Sequence, residues 1–245
     1  MASGRLPVSR RGQRAASRLL QLAVAGILAV GLATRNLSVV VNATLALALT
    51  FVPAVLRRDY RIELDAGVTL WITLALFLHT LGMLGFYADV WWYDHVTHTL
   101  SATIVAAGGY VLARAADEAS DDIYLPPRFL FVFVLLFTLG LGVLWEVLEF
   151  GARLGAELLG LDPVLVQYGL DDSLFDLLFD TFGAVLVAVF GTGTVSGVVG
   201  SVVDHLAERE DGRDDARADR SRRDALSRVV RTGVGNARGA WLLVS

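Results

Sequence analysis

The chain has 245 residues, is 55% hydrophobic, carries a formal charge of −4 and contains no cysteine. A soluble domain is about 45–50% apolar even when glycine is counted, so this composition points to an all-α, polytopic membrane protein of the cell membrane. The missing cysteine excludes disulfides and thiolate metal sites.

Arg10, Arg11, Arg14 and Arg18 precede the first apolar run, Leu19–Thr34. A short apolar run after arginines can read as a signal peptide, but no small-residue cleavage site closes it and five more runs follow. A spanning helix needs about 20 mostly apolar residues. Leu37–Leu56, Ala66–Tyr87, His95–Ala115, Phe129–Gly151 and Ser173–Val199 complete a set of about six transmembrane helices. Helix is the expected state, since lipid cannot satisfy an open strand edge. Pro53 lies inside the second run, where a proline kinks a helix, whereas Pro126 and Pro127 sit at a helix start, where proline is tolerated.

Arginine placement orients the bundle. Residues 1–18, the second connection (Arg57, Arg58, Arg61), the fourth (Arg114, Arg128) and the segment after Asp204 are arginine-bearing. The alternate connections hold only Arg35, none, and Arg153. Both termini are therefore expected in the cytoplasm. The organisation reads as an Arg-rich cytoplasmic segment over 1–18, a bundle over 19–203, and a charged cytoplasmic tail over 204–245 that is a solvated helix or partly disordered. Acids match the arginines of that tail and no aromatics are there to stack on bases, so nucleic acid is not an expected partner.

Ionisable residues gather at the outer helix ends. His79 lies two turns before the end of the third run; Asp94, His95 and His98 open the fourth; Glu146 and Glu149 lie late in the fifth; Asp172, Asp176 and Asp180 open the sixth. Spacings of three and four residues put each set on one helix face, and such a stripe faces the bundle interior rather than lipid. Protons, basic partners or a divalent metal must then offset the acids. Arg153, four residues after Glu149, has the spacing of an ion-pair partner. Imidazole with carboxylate suits zinc, manganese or iron. His98, Glu146, Asp176, Asp180, Asp94 and His79 are the candidate ligands, and His95, Glu149 and Asp172 the candidate acid–base groups.

Each residue also has a plainer reading. His79 would be an interior histidine satisfied by hydrogen bonds, Asp172 a helix cap, Glu149 only the partner of Arg153, and His95 part of an interfacial aromatic belt with Trp91, Trp92 and Tyr93. The segment Leu154–Leu170 either caps the cluster or lies flat on the interface.

The motifs Asp94-x-x-x-His98, Glu146-x-x-Glu149 and Asp176-x-x-x-Asp180-Thr-Phe-Gly183-Ala184 resemble those of VanZ-like membrane proteins, and the Tyr-Asp, paired glutamates and aspartate run resemble the YjdF-like family. The resemblance covers Tyr93 to Ala184 and leaves the first two spans and the tail outside. It implies the architecture and the site. Here Asp180 stands in place of the usual asparagine and Glu149 in place of glutamine, which makes the cluster more acidic. Three functions follow: a metal-dependent hydrolase or transferase on a lipid or lipid-linked headgroup, a non-enzymatic scaffold locked by its polar cluster, and a proton- or cation-coupled transporter.

Overall fold

The computed structural model describes residues 9–120, 122–165 and 167–209, together with Arg217, Arg220 and Arg223. Among them are α1 (Arg10–Thr34), α2 (Leu37–Leu49), α3 (Val52–Asp59), α4 (Ala66–Leu81), α5 (Tyr87–Asp89), α6 (Tyr93–Ala119), α7 (Pro127–Leu159) and α8 (Leu170–Leu186). Two π-helical turns, Gly82–Phe86 and Val187–Gly191, follow α4 and α8. Joined across their kinks, these pieces give six helices long and apolar enough to cross a membrane.

Local chemistry explains the helix ends. Ser9 caps α1 by accepting the Gly12 N–H, Asn36 caps α2 by accepting that of Val39, and Asp65 caps α4 by accepting that of Gly67. The second span breaks after Thr50, because Pro53 has no N–H to give and its ring would collide with the carbonyl four residues back. The Gln21 side chain, from α1, donates to the Thr50 carbonyl at the break. Pro126 and Pro127 occupy the first positions of α7, where a missing N–H costs nothing.

The boundaries correct the sequence reading at three places. α1 begins at Arg10 rather than Leu19, because Gln13 and Ser17 are buried in its first turns, with Gln13 beside Gly67 of α4. Polar packing of that kind leaves no trace in apolar run length. α7 continues to Leu159, eight residues past the expected Gly151, and α8 starts at Leu170, so the last outer connection is only the stretch 160–169. Residues 1–8 and nearly all of the charged tail lie outside the described residues.

Through Val203 the chain is one helical bundle. α1 packs on α4 and α2; α6 packs on α8 and α7; α4 meets α6 and links the halves. One apolar core joins Ala106, Ala107 and Val111 of α6 to Val134 of α7 and Ala184 of α8. A smaller one joins Ile27, Val39 and Ala43. Along α7 the buried side is Leu130, Val134, Thr138, Glu146 and Glu149, while Val132, Leu136, Val143, Leu144, Val147 and Leu148 are exposed, as a lipid-facing side requires. With the partly buried Gly142 between Thr138 and Glu146, the inward stripe runs down a spacing of three or four residues to two glutamates.

Small residues let the backbones approach, as membrane packing favours. A Cβ on Gly183 would sit 2.6 Å from the Thr99 carbonyl oxygen and 2.8 Å from Ala102 Cβ. Both are fixed atoms of α6. Gly183→Ala is expected to lower the thermal midpoint in detergent, by about 1–3 kcal/mol of stability. Gly140→Ala, which meets nothing within 4 Å, serves as control; equal melting of the two variants would contradict the close crossing of α6 and α8. The chain has no native cysteine, so topology is also directly measurable. A cysteine at Asp162 is expected to react with an impermeant maleimide in intact cells, and one at Asp122 only after lysis; the reverse pattern would invert the arginine-based orientation.

Candidate functional site

Four helices deliver the site. In α6, Asp94 and His98 are one turn apart; in α8, Asp176 and Asp180 are one turn apart; α7 adds Glu146 and Glu149; α4 adds His79. His98 is the centre. Its Nε2 lies 3.6 Å from Asp94 Oδ1 and 3.7 Å from Asp176 Oδ1, and its Nδ1 lies 3.3 Å from Asp180 Oδ1. Ligand-type atoms of Asp94, His98 and Asp176 all lie within 4.8 Å of one another.

Burial makes this arrangement demanding. Asp176 is 1% exposed and its Oδ1 has no hydrogen-bond partner. Glu146 is 7% exposed, and neither of its carboxylate oxygens has one. A buried polar atom without a partner costs about 1–3 kcal/mol, more when charged. Glu149 is buried too, but Trp145 Nε1–H donates to its Oε1 at 2.9 Å. Gly142 lets Asp180 come close: a Cβ there would meet Asp180 Oδ2 and displace that carboxyl from its place beside His98.

A cavity of about 30 Å³ opens at the cluster, lined by His79, Met83, Tyr87, Asp94, His98, Trp145, Glu149, Leu165 and Tyr168. A water needs roughly 10–15 Å³, so the space admits one or two small polar species. Leu165 and Tyr168 come from the last outer connection, so that connection closes on the cluster instead of lying flat. The Tyr168 phenol is pushed above its ordinary range, first by burial and then by the charges of Asp172, Asp94 and Asp89.

Other expected residues fall elsewhere. His79 does not join the ligand set: its Nε2 pairs with Asn42 Oδ1 at 3.1 Å and its Nδ1 with the Tyr87 hydroxyl at 3.0 Å. With Asn42 accepting, Nε2–H donates and Nδ1 accepts the tyrosine proton. His95 stacks on Phe179 at 4.4 Å between centroids and also meets Phe175 and Trp91, with Nδ1 buried and unpartnered. Asp172 reaches back from the first turn of α8 to accept the Tyr168 N–H at 3.0 Å, a capping role from inside the helix. Arg153 does not pair with Glu149 as its spacing suggested. It bonds Glu157 one turn further on, at 3.3 Å, on the exposed side of α7.

Asn42 is the residue that sequence reasoning missed. Its Nδ2 donates to the Ser38 carbonyl and to the Val164 carbonyl of the last outer connection, while its Oδ1 accepts from His79. Ser38 Oγ donates to the same Val164 carbonyl at 2.9 Å. A lone asparagine in an apolar run is a signal for such bonding. Tyr87, read as an interfacial anchor, completes the chain: the π turn and the kink at Gly85 (φ 120°) lay its ring over Gly82, where no Cβ would fit.

The fold and this cluster define a multi-pass membrane protein with a buried histidine–carboxylate site. A family model described as "Predicted membrane protein (DUF2238)" matches residues 15–197, and the chain belongs to that family. The match includes the first two spans, which the motif resemblance left outside, and supports an uncharacterised membrane family rather than the VanZ-like or YjdF-like names. An uncharacterized protein of Thermotoga maritima is 28% identical over 145 residues, covering 56% of this chain and 68% of that protein. No solved structure matches.

Asn42→Leu would leave the His79 N–H without its acceptor and the Val164 carbonyl without one of its two donors. It is expected to destabilise the bundle by about 1–3 kcal/mol and to raise protease sensitivity within 160–169. Unchanged cleavage of that segment would show that Asn42 does not hold it.

Proposed function

We propose that His98, Asp94 and Asp176 hold a divalent cation and that the protein is a metal-dependent hydrolase or transferase acting on a lipid or lipid-linked headgroup. The observation that carries this reading is the set of deeply buried carboxylate oxygens, on Asp176 and Glu146, left without hydrogen-bond partners beside His98. Metal–ligand distances of about 2.0–2.2 Å put neighbouring donors roughly 3–4.4 Å apart, and the His98 Nε2 distances of 3.6 and 3.7 Å fall in that range. Asp180 supports the same reading. In the Nδ1–H tautomer Asp180 accepts the His98 Nδ1–H and the Nε2 lone pair faces Asp94 and Asp176, the usual way a carboxylate orients a ligating imidazole. One imidazole among carboxylates fits manganese, iron or zinc.

A bound cation would supply an acidified water and charge compensation for a phosphoryl or similar oxygen. The chain's own residues do the rest. Glu149, on the cavity wall, is placed to take a proton, with its other oxygen held by Trp145. Glu146, with neither oxygen hydrogen-bonded, is a further buried carboxyl on α7 available to the site. His95 stays stacked on Phe179, and Asp172 holds the Tyr168 N–H beside the cavity. The scaffold reading has one observation in its favour: His98 within 4.0 Å of three carboxylates already ties α6 to α8.

Elemental analysis of protein purified without chelator separates the two. Stoichiometric manganese, iron or zinc is expected in the wild type, with loss in Asp176→Asn and in His98→Gln and retention in Glu157→Gln. Wild type free of metal, with both cluster variants unfolding, would establish the scaffold role instead.

A further inference from the structure

A second, larger cavity of about 640 Å³ lies at the same end of the bundle, where α1 turns into α2. Its size falls within the range of roughly 300–1,000 Å³ typical of ligand sites. Met83, Tyr87 and Tyr168 line both this cavity and the small one at His98, so the two share a wall. The charged residues on its lining are one arginine, Arg35, and one aspartate, Asp162. Leu37 and Leu161, also on the lining, are 50% and 57% exposed, and Leu32 of α1 is 61% exposed.

Arg35 carries the argument. It ends α1 in the left-handed region, φ 55° and ψ 31°, with its N–H bonded back to the last turn. That position favours glycine, and a side chain there is strained. Arg35 and Arg61 are the two non-glycine residues at positive φ among the described residues, and Arg35 is the one on a cavity wall; strain kept at such a place motivates a functional role. The cavity also sits at the ends of membrane-spanning helices, with exposed leucines beside it for chains.

We propose that this cavity binds the headgroup of a zwitterionic phospholipid, phosphate toward Arg35 and amine toward Asp162, with its chains along Leu32, Leu37 and Leu161. One charge of each sign matches a headgroup that carries both and disfavours one that is net anionic. The assignment rests on the proposed function only in making this lipid the molecule presented to the His98 cluster; docking itself needs no metal.

Native mass spectrometry of the full chain in detergent tests it. The probes are dioleoyl lipids with phosphoethanolamine or phosphoglycerol headgroups, and soluble phosphoethanolamine. The wild type should bind the phosphoethanolamine lipid about tenfold more tightly than the phosphoglycerol lipid. Arg35→Gly should melt higher, because glycine relaxes the left-handed position, yet bind both lipids about tenfold more weakly. Asp162→Asn should abolish the preference between headgroups. Unchanged affinity in Arg35→Gly, or equal or tighter binding of the phosphoglycerol lipid, would overturn the proposal. Soluble phosphoethanolamine binding as tightly as the lipid would overturn the lipid assignment in favour of a soluble phosphate ester. Wild type treated with chelator should bind lipid as the untreated protein does and Arg35→Gly should keep the wild-type metal content, so failure of the metal reading is seen separately.

Discussion

Asp176 sets the problem the rest of the bundle solves. A carboxyl 1% exposed in a bundle whose outer surface faces lipid has little water to stabilise a charge; a charged carboxyl costs about 2.5–3.5 kcal/mol at mid-membrane on insertion scales and less towards the helix ends. The chain does not bury one such group but several. His98 is the only cation-capable side chain among the described residues within 4.0 Å of Asp94, Asp176 and Asp180. One imidazolium cannot balance those acids together with Glu146 and Glu149. Either protons or a cation complete the balance, and both require the helices to stand at fixed separations.

That requirement explains the composition of the crossings. Gly183 against Thr99, Gly142 against Asp180 and Gly109 against Phe137 are places where a single added carbon would collide. Thr73, Thr80 and Thr138 are buried and return their hydroxyl protons to carbonyls one turn earlier, so they add no unsatisfied donor to the interior. The α6–α8 pair thus becomes rigid for the reason that matters to His98: its partners sit on the neighbouring helix.

Much of this was legible in the sequence, and the limits are instructive. Apolar run length located six spans, and three- and four-residue spacing placed Glu146 with Glu149 and Asp176 with Asp180 on buried faces. Spacing failed at Arg153, because four residues separate it equally from Glu149 before it and Glu157 after it, and only burial decides between them. Spacing also could not find Asn42, whose partners His79 and Val164 lie 37 and 122 residues away. The early start of α1 escaped because Gln13 and Ser17 are polar yet buried. Periodicity reports which face a helix turns inward; it does not report what another helix will offer there.

His79 and His98 show how neighbours assign different roles to one residue type. His79 has the Asn42 amide oxygen on one nitrogen and the Tyr87 hydroxyl on the other, so both ring nitrogens are occupied. Its work is mechanical, joining α2 and α4 to the connection that closes over the cavity. His98 has a carboxylate at Nδ1 and two more facing Nε2. The first orients the ring, and the others place two more carboxylates in front of Nε2. In the proposed reading the first half of the bundle supplies walls and Arg35 of the headgroup berth, and the second half supplies Asp162 of that berth and the His98 cluster. A family match running from residue 15 to residue 197 is what such a division of labour needs, because neither half would form the shared wall at Tyr87 and Tyr168 alone.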